Sequence, residues 1–146
     1  MTPTPTIEFV DDEPALHDVV LNGVRAFNAT LFAGHPPGLD LAIAIRDPDS
    51  NMPVGGLLGR TAGGWLGIEL LFVPEALRGM GLATTLVAVA EEEATRRGCH
   101  SAWIDTLNPK ACGLYRRLGY EVFGELKDYP VGGSRVFLQK KLGAVT

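Results

Sequence analysis

The segment Leu70–Leu82, LLFVPEALRGMGL, carries a strand, a turn and a helix start in one short run. The strand formers Leu70, Leu71, Phe72 and Val73 stop at Pro74, and Arg78-Gly79-Met80-Gly81 then leads straight into a helical pattern. The first N–H groups of a helix have no partner within it, and that end carries partial positive charge. A strand that delivers a Gly-rich turn to such an end therefore prepares a seat for a phosphate or pyrophosphate. Gly79 and Gly81 let a ligand reach the main chain with no Cβ between, and Arg78 adds a mobile cation beside it.

Downstream of the turn, Leu82, Leu86, Val89, Ala90 and Ala94 predict a helix over 82–97 with one buried stripe. Glu92–Arg96 and Glu93–Arg97 are i,i+4 pairs on its wet side, each contributing about 0.3–0.5 kcal/mol. Upstream, residues 39–46, 54–61 and 65–73 read as strands, with Gly55-Gly56 a bulge candidate and Ala62-Gly63-Gly64 a tight hairpin. Together they predict an antiparallel meander. Residues 6–10 read as a short first strand. A helix follows from Asp11-Asp12-Glu13-Pro14 through Leu16, Val19, Val20, Val24, Phe27 and Leu31, and Gly34-His35-Pro36-Pro37-Gly38 stops it. After the central helix, residues 101–107 form a strand, and Asn108 caps a further helix with Pro109 at its first position. Residues 120–123 and 135–142 predict the last two strands. The expected fold class is α/β of the α+β type, a mixed and mainly antiparallel sheet flanked by helices.

At 146 residues the chain can bury one ordinary core, so 1–146 is expected to be a single domain with 1–5 a loose tail. Its 46% hydrophobic and 21% charged content excludes a disordered chain. No apolar run approaches the roughly 20 residues of a membrane span, and no basic leader precedes one, so the expected location is the cytoplasm. Cys99 and Cys112 show no metal spacing, and His17, His35 and His100 match no zinc pattern, so no metal is expected. Residues 1–77 hold ten acids against three bases, a net of −7, whereas 78–117 carry +2 and 118–146 carry +1. The basic half suits a polyanionic cofactor and the acidic half a cationic co-substrate, although a solvated acidic face is the plainer explanation of the acids. No basic stripe interleaved with aromatics supports nucleic-acid binding. Pairing of two copies through the last strands stays open, because exposed sheet edges tend to be covered.

The Gly-rich turn does not fit a P-loop, since no Lys opens the helix. It does not fit a dinucleotide fingerprint either: Thr84 stands at the third glycine's place and an antiparallel meander precedes it. Arg78-x-x-Gly81-x-Ala83 does match the Arg/Gln-x-x-Gly-x-Gly/Ala signature of the GCN5-related N-acetyltransferase superfamily. Asn108-x-x-Ala111-x-x-x-Tyr115-x-x-x-Gly119-Tyr120-Glu121 resembles that superfamily's second motif, and the order of elements is similar over nearly the whole chain.

The resemblance implies an acetyl-CoA-dependent N-acetyltransferase that acts on a primary amine of a small molecule or peptide by direct attack. It places the cofactor's pyrophosphate on Arg78, Gly79, Met80, Gly81, Leu82, Ala83 and Thr84, and its pantetheine arm along Leu71, Phe72 and Val73 in a gap between two splayed parallel strands. It makes Tyr115 the general acid toward the leaving thiolate, with an interfacial tyrosine as the plainer alternative. Asn108 is a helix cap by either reading, with or without a cofactor contact. Among the carboxylates, Glu69 in the apolar strand IELLFV is the first candidate for general base, on the expectation that burial raises its pKa. A half-exposed strand residue or an ion-pair member is its alternative. Asp105 on the neighbouring strand ranks second. An acceptor site would draw on Phe27, Asn28, Phe32, His35, Asp105 and Tyr129, each of which also reads as an ordinary core or loop residue. A non-catalytic acyl-CoA-binding sensor or interaction module is the rival class, and the presence of both Tyr115 and Glu69 weighs against it.

Overall fold

The computed structural model describes residues 2–143. The chain divides at Gly34/His35 into two units. In the first, α1 spans Pro14–Asn28, with Pro14 in its opening turn and Arg25 in its last. Leu16, Val19, Val20, Val24 and Phe27 give it one apolar face. Residues 6–10 are not a strand. Alternating Ile7 and Phe9 suit a ladder, but a strand exists only with a partner, and no ladder bonds form here.

The second unit is built on a six-stranded sheet. Its strands are β1 (Leu39–Arg46), β2 (Pro53–Ala62), β3 (Trp65–Phe72), β4 (Ser101–Thr106), β5 (Glu121–Lys127) and β6 (Ser134–Lys141), in the order β1-β2-β3-β4-β6-β5. The β1–β2–β3 meander is antiparallel as expected, and Gly63 and Gly64, both at positive φ, make its two-residue turn. Helix α2 (Leu82–Arg96) crosses from β3 to β4, which is why that pair alone is parallel. Helix α3 (Pro109–Arg117) follows β4, and the β5–β6 hairpin then places β6 inside and β5 at the edge.

The core lies between one sheet face and α2. Leu57, Leu66, Ile68, Ala102 and Leu138 come from the sheet and Leu86, Val87, Ala90 and Ala94 from the helix. Each large side chain removed from water there contributes about 1.5–3 kcal/mol. Val87 fills the place expected of Val89, which is 43% exposed. Glu93, not Glu92, gathers the helix-surface cations: Arg96 Nε and Arg97 Nε donate to it at 2.8 and 2.7 Å. Arg97 also donates to the Asp40 carbonyl and to Thr61 Oγ1, which ties the end of α2 to β1 and β2. The bulge expected at Gly55-Gly56 lies one residue earlier: both glycines pair with β1, and the β1–β2 register skips Val54. Cys99 and Cys112 are free thiols. No helix among the described residues is long and apolar enough to cross a membrane, and they contain no cluster suited to a metal ion.

Candidate active site

Strands β3 and β4 pair from Trp65↔Ser101 to Ile68↔Ile104 and then part. Beyond that point Leu70–Phe72 stay bonded to β2, while Asp105 and Thr106 stay bonded to β6. The main chain on the β4 side of Glu69–Phe72 is left without a strand partner, and a cleft of about 920 Å³ opens in the gap.

The turn sits on the wall of this cleft. A 3₁₀ turn at Glu75–Leu77 brings the chain round, Arg78 Nε donates to the Val73 carbonyl at 3.2 Å, and Gly79 and Gly81 both take positive φ. Nothing lies within 4 Å of where a Cβ would stand at either glycine. Gly81 caps α2 with no side-chain bond, and the N–H groups from Gly79 to Thr84 have no hydrogen-bond partner among the described residues. Six uncovered amides at the positive end of a 15-residue helix, five of them on residues that line the cleft, fit an anion such as a diphosphate. Of the residues expected there, Arg78, Gly79, Gly81, Leu82, Ala83 and Thr84 line the cleft, whereas the Met80 side chain is 67% exposed and does not. Leu71, Phe72 and Val73 also line it.

Asn108 caps α3, its Oδ1 accepting from the Lys110 N–H at 2.9 Å, and it lies on the cleft wall as well. Tyr115 projects from α3, 5% exposed, with its ring edge-on to Tyr120 at 6.3 Å between centroids. Its hydroxyl has no hydrogen-bond partner among the described residues and, since no fully buried side-chain polar atom there is left unpartnered, it is open to the cleft that Tyr115 lines. Burial, and secondarily the charge of Asp105, push the Tyr115 phenol above its ordinary range and keep it protonated. Tyr120 differs: it donates to Glu91 Oε2 at 2.8 Å, and Lys140 Nζ donates to Glu91 Oε1 at 2.8 Å.

Glu69 lines the cleft but is exposed, against the expectation of burial. Leu58 pairs with Leu70 and Gly59 with Ile68, so Glu69 is the extra residue of a β-bulge and turns out of the apolar alternation of its strand. Its carboxylate has no ion-pair or hydrogen-bond partner among the described residues. Asp105 also lines the cleft, but Arg135 Nε donates to its Oδ2 at 2.6 Å. Tyr129 touches Arg135 rather than the cleft. His35 lines a separate cavity of about 180 Å³ with Arg97 and His100, so the structure does not bring it to the cleft. Phe27, Asn28 and Phe32 belong to the first unit. Lys110, Leu114 and Arg117 line the cleft without having been singled out. Helical spacing would have found them, since they share a face of α3 with Ala111 and Tyr115.

The sequence profile of the acetyltransferase (GNAT) family matches residues 11–120. An acetyltransferase of Agrobacterium fabrum is 46% identical over 129 residues, which cover 88% of this chain and 90% of that one. The blasticidin-S acetyltransferase of Streptomyces morookaense is 38% identical over 89 residues, 60% of this chain and 65% of that protein. A crystal structure from Agrobacterium tumefaciens, assigned as an acetyltransferase, superposes with a TM-score of 0.86 at 41% identity, covering 94% of this chain and 99% of its own.

Proposed function

Since the chain belongs to the GNAT family of acetyl-CoA-dependent N-acetyltransferases, we propose that it moves an acetyl group from acetyl-CoA to a primary amine of a small molecule or peptide by direct attack. We assign the whole of 1–146 to one acetyltransferase domain, a reading supported by a family match that runs across the Gly34/His35 boundary.

Acetyl-CoA supplies an activated acyl group as a thioester. The amides from Gly79 to Thr84 hold its diphosphate, with Arg78 adding charge. Unpartnered main-chain N–H groups of β3 in the gap polarise the carbonyl, as an oxyanion site must. Glu69 takes the proton of the attacking amine. Holding a Lys-like amine neutral at pH 7 costs about 4.6 kcal/mol, and a carboxylate within reach lessens that cost. The amine nitrogen forms the new C–N bond, the C–S bond breaks, and the Tyr115 hydroxyl supports the sulfur that leaves. Because the Tyr115 phenol sits above its ordinary value of about 10 and a simple thiol near 8.5, full transfer of its proton is uphill by at least about 2 kcal/mol. Tyr115 therefore donates a hydrogen bond as thiolate charge develops and yields its proton late.

The observation that carries this reading is that the free amides, the unpaired edge of β3, the Tyr115 hydroxyl and the unpaired Glu69 carboxylate share one cleft. Asp105 is the less available carboxylate for that role because Arg135 already engages it. The relative that acetylates blasticidin-S supports a small-molecule acceptor. Pairing of two copies through the β5 edge is consistent with its exposed Val122, Phe123 and Leu126. The test is release of free thiol from acetyl-CoA with a panel of amines and peptides. Acceptor-dependent thiol release supports the proposal; saturable CoA binding with no release across the panel overturns it.

A further inference from the structure

We propose that Arg135 is a carboxylate-recognition residue of the acceptor site, so that the amine acetylated by this protein also carries a carboxylate, as an amino acid or a peptide with a free C-terminus does. The inference rests on the acetyl-transfer reading above. Arg135 leaves β6 and donates through Nε to Asp105 Oδ2 at 2.6 Å. Asp105 lies on the cleft wall, so the guanidinium stands one hydrogen bond behind it. Two aromatic rings fix the guanidinium in place: its carbon is 5.3 Å from the Tyr129 ring centre and 5.2 Å from that of Phe137. The Tyr129 side chain is carried by a hairpin loop that is itself tied down. The Asp128 N–H bonds to the Gly133 carbonyl at 2.9 Å and the Gly133 N–H to the Pro130 carbonyl at 2.7 Å.

A guanidinium has five N–H donors. Asp105 takes one and the Tyr129 hydroxyl, at 3.4 Å, takes another loosely, which leaves three without a partner among the described residues. A half-exposed cross-strand ion pair is worth little in stability and does not need two rings to hold it. A planar fork held in one orientation with a donor edge open is instead suited to bidentate capture of a carboxylate, because little rotamer freedom remains to be lost. Asp105 neutralises the cation locally, so the site selects for directed hydrogen bonds rather than for negative charge alone. The Glu69 carboxylate, unpaired in the cleft that Asp105 also lines, receives the amine end of such a zwitterion, and the carboxylate end reaches past Asp105 to Arg135, which stands behind that lining.

The test compares acceptors matched in their amine and differing in the carboxylate: lysine against cadaverine, ornithine against putrescine, and a tripeptide against its C-terminal amide. The wild-type protein, Arg135→Gln and Arg135→Lys are assayed by thiol release. Within each pair that turns over, the carboxylate member is expected to have at least about a tenfold higher kcat/KM. Arg135→Gln should abolish that ratio, and Arg135→Lys should retain part of it. Damage to the fold lowers both members of a pair alike, so the ratio isolates recognition. Equal use of both members, or a ratio that survives Arg135→Gln, overturns the inference while leaving acetyl transfer standing. A second readout needs no turnover. Titration with glutarate should move the Arg135 Nε–H resonance saturably, and absence of any shift overturns the proposal even if no acceptor in the panel reacts.

Discussion

Tyr115→Phe separates chemistry from packing more cleanly than any other substitution in this protein. It removes one oxygen and leaves the ring against Tyr120. No protein hydrogen bond is lost among the described residues, so the usual cost of orphaning a buried partner does not arise, and unfolding free energy is expected to change by less than about 0.5 kcal/mol. A positioned acid contributes about 10²- to 10⁴-fold. The raised Tyr115 pKa makes it a reluctant proton donor, which sets the expectation at the lower end: kcat falls about 10²-fold, or about 2.7 kcal/mol. The affinity for CoA should stay within about threefold, since the hydroxyl addresses only developing charge on sulfur. The raised pKa also keeps the phenol protonated above its ordinary value of about 10, so Tyr115 itself adds no falling limb to the rate profile below that pH. Thiol release at saturating acetyl-CoA, calorimetric CoA titration and thermal unfolding measure the three quantities. Unchanged kcat, or a collapse of CoA affinity with kcat intact, would refute the assignment.

Glu69→Gln is expected to lower kcat/KM at neutral pH by about 10²-fold with CoA affinity unchanged; a kcat/KM equal to wild type excludes Glu69 as the base. Tyr120→Phe should cost about 1.5–3 kcal/mol of stability, because it removes a 2.8 Å hydrogen bond to the Glu91 carboxylate, and kcat should hardly change. Burial and the Glu91 charge raise the Tyr120 phenol, so its contribution is present below the ordinary tyrosine value and fades as pH climbs beyond it. Wild type should therefore lose stability faster than Tyr120→Phe above about pH 10 in denaturant titrations. Arg96 and then Arg97 pull the Glu93 carboxyl down to about 2 from its ordinary 4.5. Its contribution is complete above 4.5 and is lost as pH falls toward 2. Glu93→Gln should flatten that part of the acid-unfolding curve, and an unaltered curve would show that the pair does not act in solution.

The strand, turn and helix of residues 70–96 were legible because their signals are local: strand formers, a proline, two glycines and a helical stripe in unbroken succession. The meander was legible for the same reason, down to the Gly63-Gly64 turn. What failed was long-range. Glu69 was expected to be buried because its neighbours are apolar, yet the bulge that turns it outward depends on how β2 registers against β3. The insertion of β6 between β4 and β5 follows from sheet assembly, to which no local pattern points. Residues 6–10 have strand composition without a ladder partner. Asp105, the second candidate for base, is bonded to Arg135 thirty residues further along the chain, a contact that only the pairing of β4 with β6 creates. Lys110 and Arg117 reach the cleft from the helix that carries Tyr115, a placement that helical spacing already encodes.

The most direct test of the account is a titration of the labelled protein with coenzyme A, following backbone amide resonances. If the uncovered N–H groups before and within the first turn of α2 grip the diphosphate, the largest saturable shifts belong to Gly79–Thr84, and they vanish in Gly81→Val, where a branched side chain cannot hold the positive φ that shapes the turn. Saturable binding with those amides unmoved, or no binding at all, would contradict it.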